Sequence, residues 1–164
     1  MTAPQLTFRS EVVATDLAAV RSIISATGMF RPNEIDVAVE LVEERLQQGE
    51  STGYYFVFAE FAGEVVGYVC YGPIEVTLHS YDLYWIAVSP QHQGKQIGKQ
   101  LLIAAEKVIA SRGGKQIYIE TSGREDYSAT RRFYDRCGYS AEATIRDFYA
   151  PGDDKVIYVR RLQD

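Results

Sequence analysis

The sequence predicts an α/β (α+β) domain, in which a central mixed, mostly antiparallel sheet of about seven strands is flanked by four helices. Segments with apolar residues at every second position interchange with segments of helical spacing, in the order β-α-α-β-β-β-α-β-α-β-β. The length of 164 residues, with 46% apolar and 24% charged side chains, is typical of one folded unit. We therefore expect residues 1–164 to form a single domain.

The first part of the chain predicts one strand and two helices. Leu6–Val13 alternates at period two and predicts a strand, after which Thr15 can cap a helix that begins at Asp16. Residues 29–33 predict a loop that contains a proline. Apolar residues then recur at helical spacing as far as Gly49, which predicts the second helix.

The middle of the chain predicts a hairpin, a strand and a helix. Tyr54–Phe61 and Val65–Tyr71 are rich in aromatic and β-branched residues and flank an Ala-Gly turn, which is typical of an antiparallel hairpin. His79–Val88 predicts a further strand. From Gln96 the spacing becomes helical, and the pair Gly113–Gly114 ends this helix.

The last part of the chain completes the pattern. Gln116–Thr121 predicts a strand, and Ser128–Cys137 predicts a short helix that Gly138 stops. Two final strands flank the turn Ala150–Asp153.

The charge balance argues against a nucleic-acid partner. Seventeen Lys and Arg residues stand against 22 Asp and Glu residues, so the net charge is −5 with His neutral. Binding to a phosphate backbone needs a broad basic face, which this composition disfavours. A local site for one phosphate-bearing ligand is still compatible with it.

Neither membrane insertion nor a metal site is predicted. No apolar run approaches the roughly 20 residues of a spanning helix, and the first residues lack a basic and apolar leader, so we expect a cytoplasmic protein without a membrane partner. Cys70 and Cys137 lie far apart and have no metal-ligand spacing. We expect both to be reduced thiols in the core.

Residues 83–102, LYWIAVSPQHQGKQIGKQLL, carry the chemical signal. A buried strand leads through a basic loop into an amphipathic helix, so backbone N–H groups and the helix dipole converge on a spot that suits anionic oxygens. Gly94 and Gly98 allow close approach of the backbone, while Lys95 and Lys99 add charge at the rim. The alternative is that the two glycines only shape the connection.

Two well-known nucleotide motifs are missing from the sequence. The phosphate loop of nucleoside triphosphatases needs four residues between its glycines and a hydroxyl after its lysine. Here three residues separate Gly94 from Gly98, and Gln100 follows Lys99. The dinucleotide fingerprint GxGxxG is also lacking, so a different phosphate ligand is expected.

The same stretch resembles the GNAT superfamily of acyl-CoA-dependent N-acyltransferases. That family has a strand ending in an apolar-Ala-Val-x-Pro run, then a loop of the form Q/R-x-x-G-x-G/A and a helix. The matching residues are Ile86-Ala87-Val88-Ser89-Pro90 and Gln93-Gly94-Lys95-Gln96-Ile97-Gly98. The sequence departs from the family at Gln96, which replaces the first glycine of the x-x-G-x-G element, so a residue with a side chain must fit there.

A second motif supports the resemblance. The family closes with a short helix of the form A-x-x-F-Y-x-x-x-G-F/Y, which Ser128–Tyr139 resembles. Tyr127 stands about where the family often has an asparagine. The order of elements agrees from Leu6 to Leu162, so the resemblance covers nearly the whole chain and implies a single-domain GNAT-like fold.

The resemblance implies an N-acetyltransferase with acetyl-CoA as co-substrate and no metal. Strand residues would hydrogen-bond the pantetheine arm, and loop N–H groups would hold the pyrophosphate. The cofactor-binding residues implied in this way are Ile86, Ala87, Val88, Gln93, Gly94, Lys95, Gln96, Ile97, Gly98 and Lys99.

The reaction also needs a base, because an alkyl ammonium group with a pKa of about 10.4 must lose a proton before it attacks a thioester. Glu120 lies where several family members carry a catalytic glutamate, and Asp82 matches another family position. Either carboxylate could act directly or through water. The alternative for each is a carboxylate that bonds a neighbouring strand or faces solvent.

Tyr134 is the predicted general acid. The matching family position commonly protonates the departing thiolate, and a phenol with a pKa of about 10 keeps its proton at neutral pH. The alternative is an aromatic residue that packs the helix onto the sheet.

The acceptor is left open by the sequence. In the family, the loop at residues 27–33 and the segment Arg146–Asp154 would form its walls, and a small-molecule amine or a protein amine would fit equally. A homodimer is one option. The alternative to an enzyme is a non-catalytic acyl-CoA-binding sensor or subunit with the same fold, and Gln96 in the loop is the feature that suggests it.

Overall fold

A computed structural model describes residues 2–163. The strands in this range are β1 Thr7–Arg9, β2 Tyr55–Phe61, β3 Glu64–Pro73, β4 Ser80–Val88, β5 Gln116–Ser122, β6 Ser140–Ala150 and β7 Asp153–Arg161. They form one seven-stranded sheet in the order β1-β2-β3-β4-β5-β7-β6. The pairing of β4 with β5 is parallel, whereas β1–β2, β2–β3, β5–β7 and β6–β7 are antiparallel. The predicted fold class is thereby confirmed.

Four α-helices occur in the described range. They are α1 Asp16–Thr27, α2 Pro32–Gln48, α3 Ile97–Ser111 and α4 Ser128–Arg136. The predicted loop at residues 29–33 is shorter than expected, because Pro32 takes the first helical turn and Arg31 N–H donates to the Glu34 carboxylate at 2.7 Å. No helix among residues 2–163 combines the length and apolar character needed to cross a membrane.

The start of α1 at Asp16 agrees with the prediction, but the predicted cap does not form. Thr15 has helical backbone angles, and its side chain makes no capping hydrogen bond. The buried carboxylate of Asp16 instead bonds residues that precede the helix, since it accepts the Val13 N–H at 2.8 Å and two bonds from Arg9 at 2.6 and 2.9 Å. These bonds turn the chain away from the sheet, so the first strand ends at Arg9 instead of Val13.

The described chain divides into two compact units. The first consists of the residues up to Gly72 together with Trp85–Val108. Its buried centre lies between β2, β3 and the first two helices, where Phe56, Phe58 and Tyr68 stack with ring centroids 5.6 to 6.4 Å apart. Burial of these large rings is the main stabilising contribution here.

The second unit consists of Pro73–Tyr84 and the residues from Ile109 onwards. Its strands pair in register from Ser80↔Gln116 to Leu83↔Ile119 and along the whole of β5 with β7. Its aromatic cluster is formed by Tyr134, Tyr139 and Tyr158. The two cysteines are free thiols, Cys70 buried in the first unit and Cys137 partly exposed in the second.

Candidate active site

The loop between β4 and α3 has an unusual backbone. After Val88 it makes a single 3₁₀ turn at Pro90–His92, and then Gly94 has φ +78° and Gln96 has φ +65°. The helix begins directly afterwards, and Gln100 N–H donates to Gln96 C=O at 3.0 Å. The N–H groups of the first helical residues therefore have no partner within the helix, and residues 93–96 are exposed.

The backbone angle at Gln96 explains why the family motif has a glycine at this position. A left-handed backbone costs a residue with a Cβ about 1–2 kcal/mol, and glycine avoids this cost. The glutamine side chain is exposed, so the strain lies in the backbone and not in packing. The structure thus accommodates the departure that the sequence flagged.

Hydrogen bonds hold the two ends of this loop. The Gln93 side-chain amide donates to Val88 C=O at 3.1 Å, and Ser89 N–H donates to Val66 C=O on β3 at 2.8 Å. Lys95 and Lys99 are both exposed at the surface of the loop and the helix. The predicted loop residues therefore form one ordered turn with positive side chains at its rim.

Close packing fixes the last residues of β4. A Cβ on Gly67 of β3 would lie 3.1 Å from Ala87 O, 3.2 Å from Leu101 Cδ1 and 3.3 Å from Val88 Cγ2. Ala87 is buried, while Ile86 and Val88 are partly exposed. The absence of a side chain at Gly67 therefore lets β4 lie against β3 and α3 at this point.

The two predicted carboxylates lie on the same face of the sheet. Asp82 is paired with Tyr118, and Glu120 is two residues further along the same strand. The Glu120 carboxylate also forms an ion pair with Lys155 of β7, whose Nζ lies 2.9 Å from Oε2. The structure thus brings Asp82, Glu120 and a buried lysine together.

Asp82 has a perturbed acidity. Burial raises the pKa of its carboxyl group to about 6, and the charge of Glu120 adds to this effect, while that of Lys155 opposes it. A carboxylate with this pKa exchanges a proton close to neutral pH.

Tyr134 is buried on the opposite face. Its ring lies 5.6 Å from that of Tyr158 and 6.2 Å from that of Tyr139. Tyr158 alternates with Lys155 and Ile157 along β7, so it points away from the carboxylates. Burial raises the pKa of the Tyr134 phenol well above its usual value, which keeps it protonated at neutral pH.

The predicted acceptor walls contain aromatic pairs. Phe30 lies edge-on to Trp85 with centroids 5.2 Å apart in the first unit, and Phe148 lies edge-on to Tyr149 at 5.1 Å in the second. Asp154 accepts the Asp147 N–H at 2.9 Å, so this acidic side chain forms part of its own turn.

Lys155 is the residue that sequence reasoning missed. It is only 8% exposed, although lysines are seldom buried without a partner. The available signal was its place in β7, where Lys155, Ile157 and Val159 alternate at period two on one face. A charged residue in such a row indicates a partner of opposite charge, here the half-exposed Glu120.

Comparison with known proteins decides the family. The model of the acetyltransferase (GNAT) family matches residues 20–139. The chain belongs to this family. Membership confirms the predicted enzyme class, an acyltransferase.

A GNAT-family member of known structure supports this assignment. The crystal structure of a protein from Desulfovibrio desulfuricans, described as an acetyltransferase of the GNAT family, is 46% identical with a TM-score of 0.94. The match covers 96% of this chain and 99% of that one.

Two further relatives are more distant. An aminoglycoside 6'-N-acetyltransferase complexed with coenzyme A is 20% identical, with a TM-score of 0.78 and 98% of each chain covered, a likeness of fold alone. The mycothiol acetyltransferase of Amycolatopsis mediterranei (strain U-32) is 27% identical over 147 residues, or 85% of this chain and 48% of the relative. The chain therefore spans about half the length of that curated relative.

Proposed function

We propose that this chain is an N-acetyltransferase that moves an acetyl group from acetyl-CoA to a primary amine by direct attack in a ternary complex. The observation that carries the proposal is the exposed turn at residues 93–96, which ends at the first helical N–H groups of α3. Two of its residues have left-handed backbones, an arrangement in which successive N–H groups make an anion-binding concavity.

The turn suits a diphosphate in particular. The N–H groups of residues 94–99 would act as donors, the helix dipole would add a partial positive charge, and Lys95 and Lys99 would add full charges at the rim. The glutamine at position 96 does not remove an N–H donor from this set. Main-chain binding is therefore compatible with its side chain.

The strand before the loop is proposed to bind the pantetheine arm. The register of β4 with β5 runs from Ser80↔Gln116 to Leu83↔Ile119, whereas β4 itself continues to Val88. Ile86, Ala87 and Val88 would hydrogen-bond the arm through their backbone. Acetyl-CoA would supply the thioester that the amine attacks.

One of the two carboxylates is proposed to take the proton of the acceptor ammonium group, directly or through water. A base works best with a pKa near the working pH, and the value of about 6 favours Asp82. Glu120 is held by Lys155 and would contribute negative charge that attracts a cationic acceptor.

Tyr134 is proposed as the general acid. Its hydroxyl would give a proton to the sulfur as the C–S bond breaks and the C–N bond forms. The amine nitrogen and the thioester sulfur are bonded to the same carbonyl carbon during the transfer, so the base would act on the nitrogen and Tyr134 on the sulfur of one tetrahedral intermediate.

An acceptor panel tests this function. Release of the free thiol from acetyl-CoA is measured with small amines, amino acids, aminoglycosides and peptides, for the wild type beside Tyr134→Phe. Turnover with one amine class, reduced in the variant, supports the proposal. Binding of acetyl-CoA by calorimetry without turnover on any amine would favour the rival, a non-catalytic acyl-CoA sensor, and lack of binding would refute both.

A further inference from the structure

We propose that Lys155 is a positioning residue whose ion pair engages the Glu120 carboxylate and thereby leaves Asp82 as the group that accepts the proton. This inference rests on the proposed acetyltransferase function and deepens it. Sequence reasoning treated the two carboxylates as alternatives, whereas the contacts of Lys155 give them different surroundings.

The ammonium group of Lys155 is enclosed by one carboxylate and two rings. Its Nζ lies 2.9 Å from Glu120 Oε2, 3.5 Å from the centroid of Phe148 and 6.0 Å from the centroid of Tyr149. Both rings face the cation within the range of a cation–π interaction. The lysine is 8% exposed, whereas the Glu120 side chain is 51% exposed, so water reaches this ion pair from the carboxylate side.

A bulge in β6 places the rings of Phe148 and Tyr149 next to Lys155. Ile145 is paired with Lys155 and Ala150 with Asp153, so four residues of β6 stand against one of β7. Asp147 lies at φ +55°, and its carboxylate accepts the Gly152 N–H at 2.8 Å. The bulge is thus fixed by its own hydrogen bonds, which holds Phe148 over the lysine.

The charges on this face then determine the roles of the two acids. On the side of β5 and β7, Asp82 is paired with Tyr118 and feels the charges of Glu120 and Lys155. The Tyr118 hydroxyl donates to Gln116 Oε1 at 2.6 Å. The two carboxylates therefore share one positive charge, that of Lys155, and its ammonium group is bonded to Glu120.

Removal of Lys155 should therefore change the acidity of its neighbour. Its positive charge opposes the burial and the Glu120 charge that raise the pKa of Asp82. Without it, two carboxylates share one face unopposed, and the second of them ionises at higher pH. We expect the pKa of Asp82 to rise by about one unit or more.

The experiment compares Lys155→Met with Lys155→Arg, and with Lys107→Met as a matched loss of charge on the exposed side of α3. Two measurements are made on each folded variant: the pH dependence of kcat/KM, and the titration of Asp82 by carbon NMR of labelled aspartate, with the signal assigned through Asp82→Asn. Thermal unfolding shows whether each variant is folded.

The expected result is an upward shift of the acidic limb and of the Asp82 titration in Lys155→Met, with wild-type values in Lys155→Arg and Lys107→Met. Unchanged titration in folded Lys155→Met would overturn the proposal, and so would an equal shift in Lys107→Met. If Lys155→Met does not fold, Lys155→Gln takes its place and is judged by the same two outcomes. The NMR titration needs no substrate, so it tests Lys155 even if the wild type transfers no acetyl group.

Discussion

Replacement of Gln96 by glycine should stabilise the protein. Gln96 has φ +65°, and a left-handed backbone costs a residue with a Cβ about 1–2 kcal/mol. Glycine relieves this cost but gives the unfolded chain more freedom, which takes back about 0.4–1 kcal/mol. The midpoints of these two ranges leave a net gain of about 0.8 kcal/mol, or roughly 2–3 °C in Tm for a chain of this size.

Thermal and urea unfolding measure this gain, with two variants as controls. Gly94→Ala places a Cβ at φ +78° with no heavy atom within 4 Å, so it should cost about 1 kcal/mol through backbone strain alone. Gln96→Ala keeps the strained backbone and removes an exposed side chain, so its stability should change by less than about 0.5 kcal/mol.

The reasoning would be refuted if Gln96→Gly left the stability unchanged or lowered it. A gain equal to that of Gln96→Ala would also refute it, because the side chain rather than the backbone would then be the cause.

Three further predictions concern the proposed acid Tyr134, the proposed base Asp82, and Gly67, which packs against the end of β4. Tyr134→Phe keeps the ring contacts and removes only the hydroxyl of a buried side chain, so kcat should fall about 10²-fold or more while stability changes by about 1 kcal/mol or less. The raised pKa of Asp82 means that the fold favours its protonated form, so its stabilising contribution is present below about pH 4 and lost as pH rises through about 6. The stability of Asp82→Asn relative to the wild type should therefore be greater at pH 7.5 than at pH 4, by about 1 kcal/mol after solvent screening. Urea unfolding of both proteins at both pH values measures this difference, and a difference that does not change with pH would contradict the prediction. Gly67→Ala should displace Ala87 and raise the Kd for acetyl-CoA in calorimetry, whereas an unchanged Kd would argue against a role of this strand in binding.

Local patterns were sufficient for most of the fold. The spacing of its apolar residues predicted helix α3, and runs of aromatic and β-branched residues predicted β2 and β3. The start of α1 at Asp16 was predicted correctly, but the Thr15 cap was not found, because the contacts at this end depend on Arg9, seven residues before Asp16. Such a contact leaves no local pattern.

The two parts of the candidate site differ in the same way. The β4–α3 loop is continuous in sequence, so its glycines, its basic residues and the helix start could be recognised together. The proximity of Asp82, Glu120 and Lys155 depends on the register of three strands that are far apart in the chain. The register between such strands is a property of the folded sheet, and it cannot be read from a single sequence.

Several expectations stay predictions. They are the single domain over residues 1–164, the cytoplasmic location, catalysis without a metal, the absence of a nucleic-acid or membrane partner, and the homodimer. Each needs a measurement in solution or in cells.

Binding of coenzyme A at the β4–α3 loop can be measured by a titration that follows the amide resonances of the protein. We expect the N–H signals of residues 94–99 to shift strongly and to saturate together, because these groups would hold the diphosphate. Saturable binding that leaves these amides unmoved would contradict it.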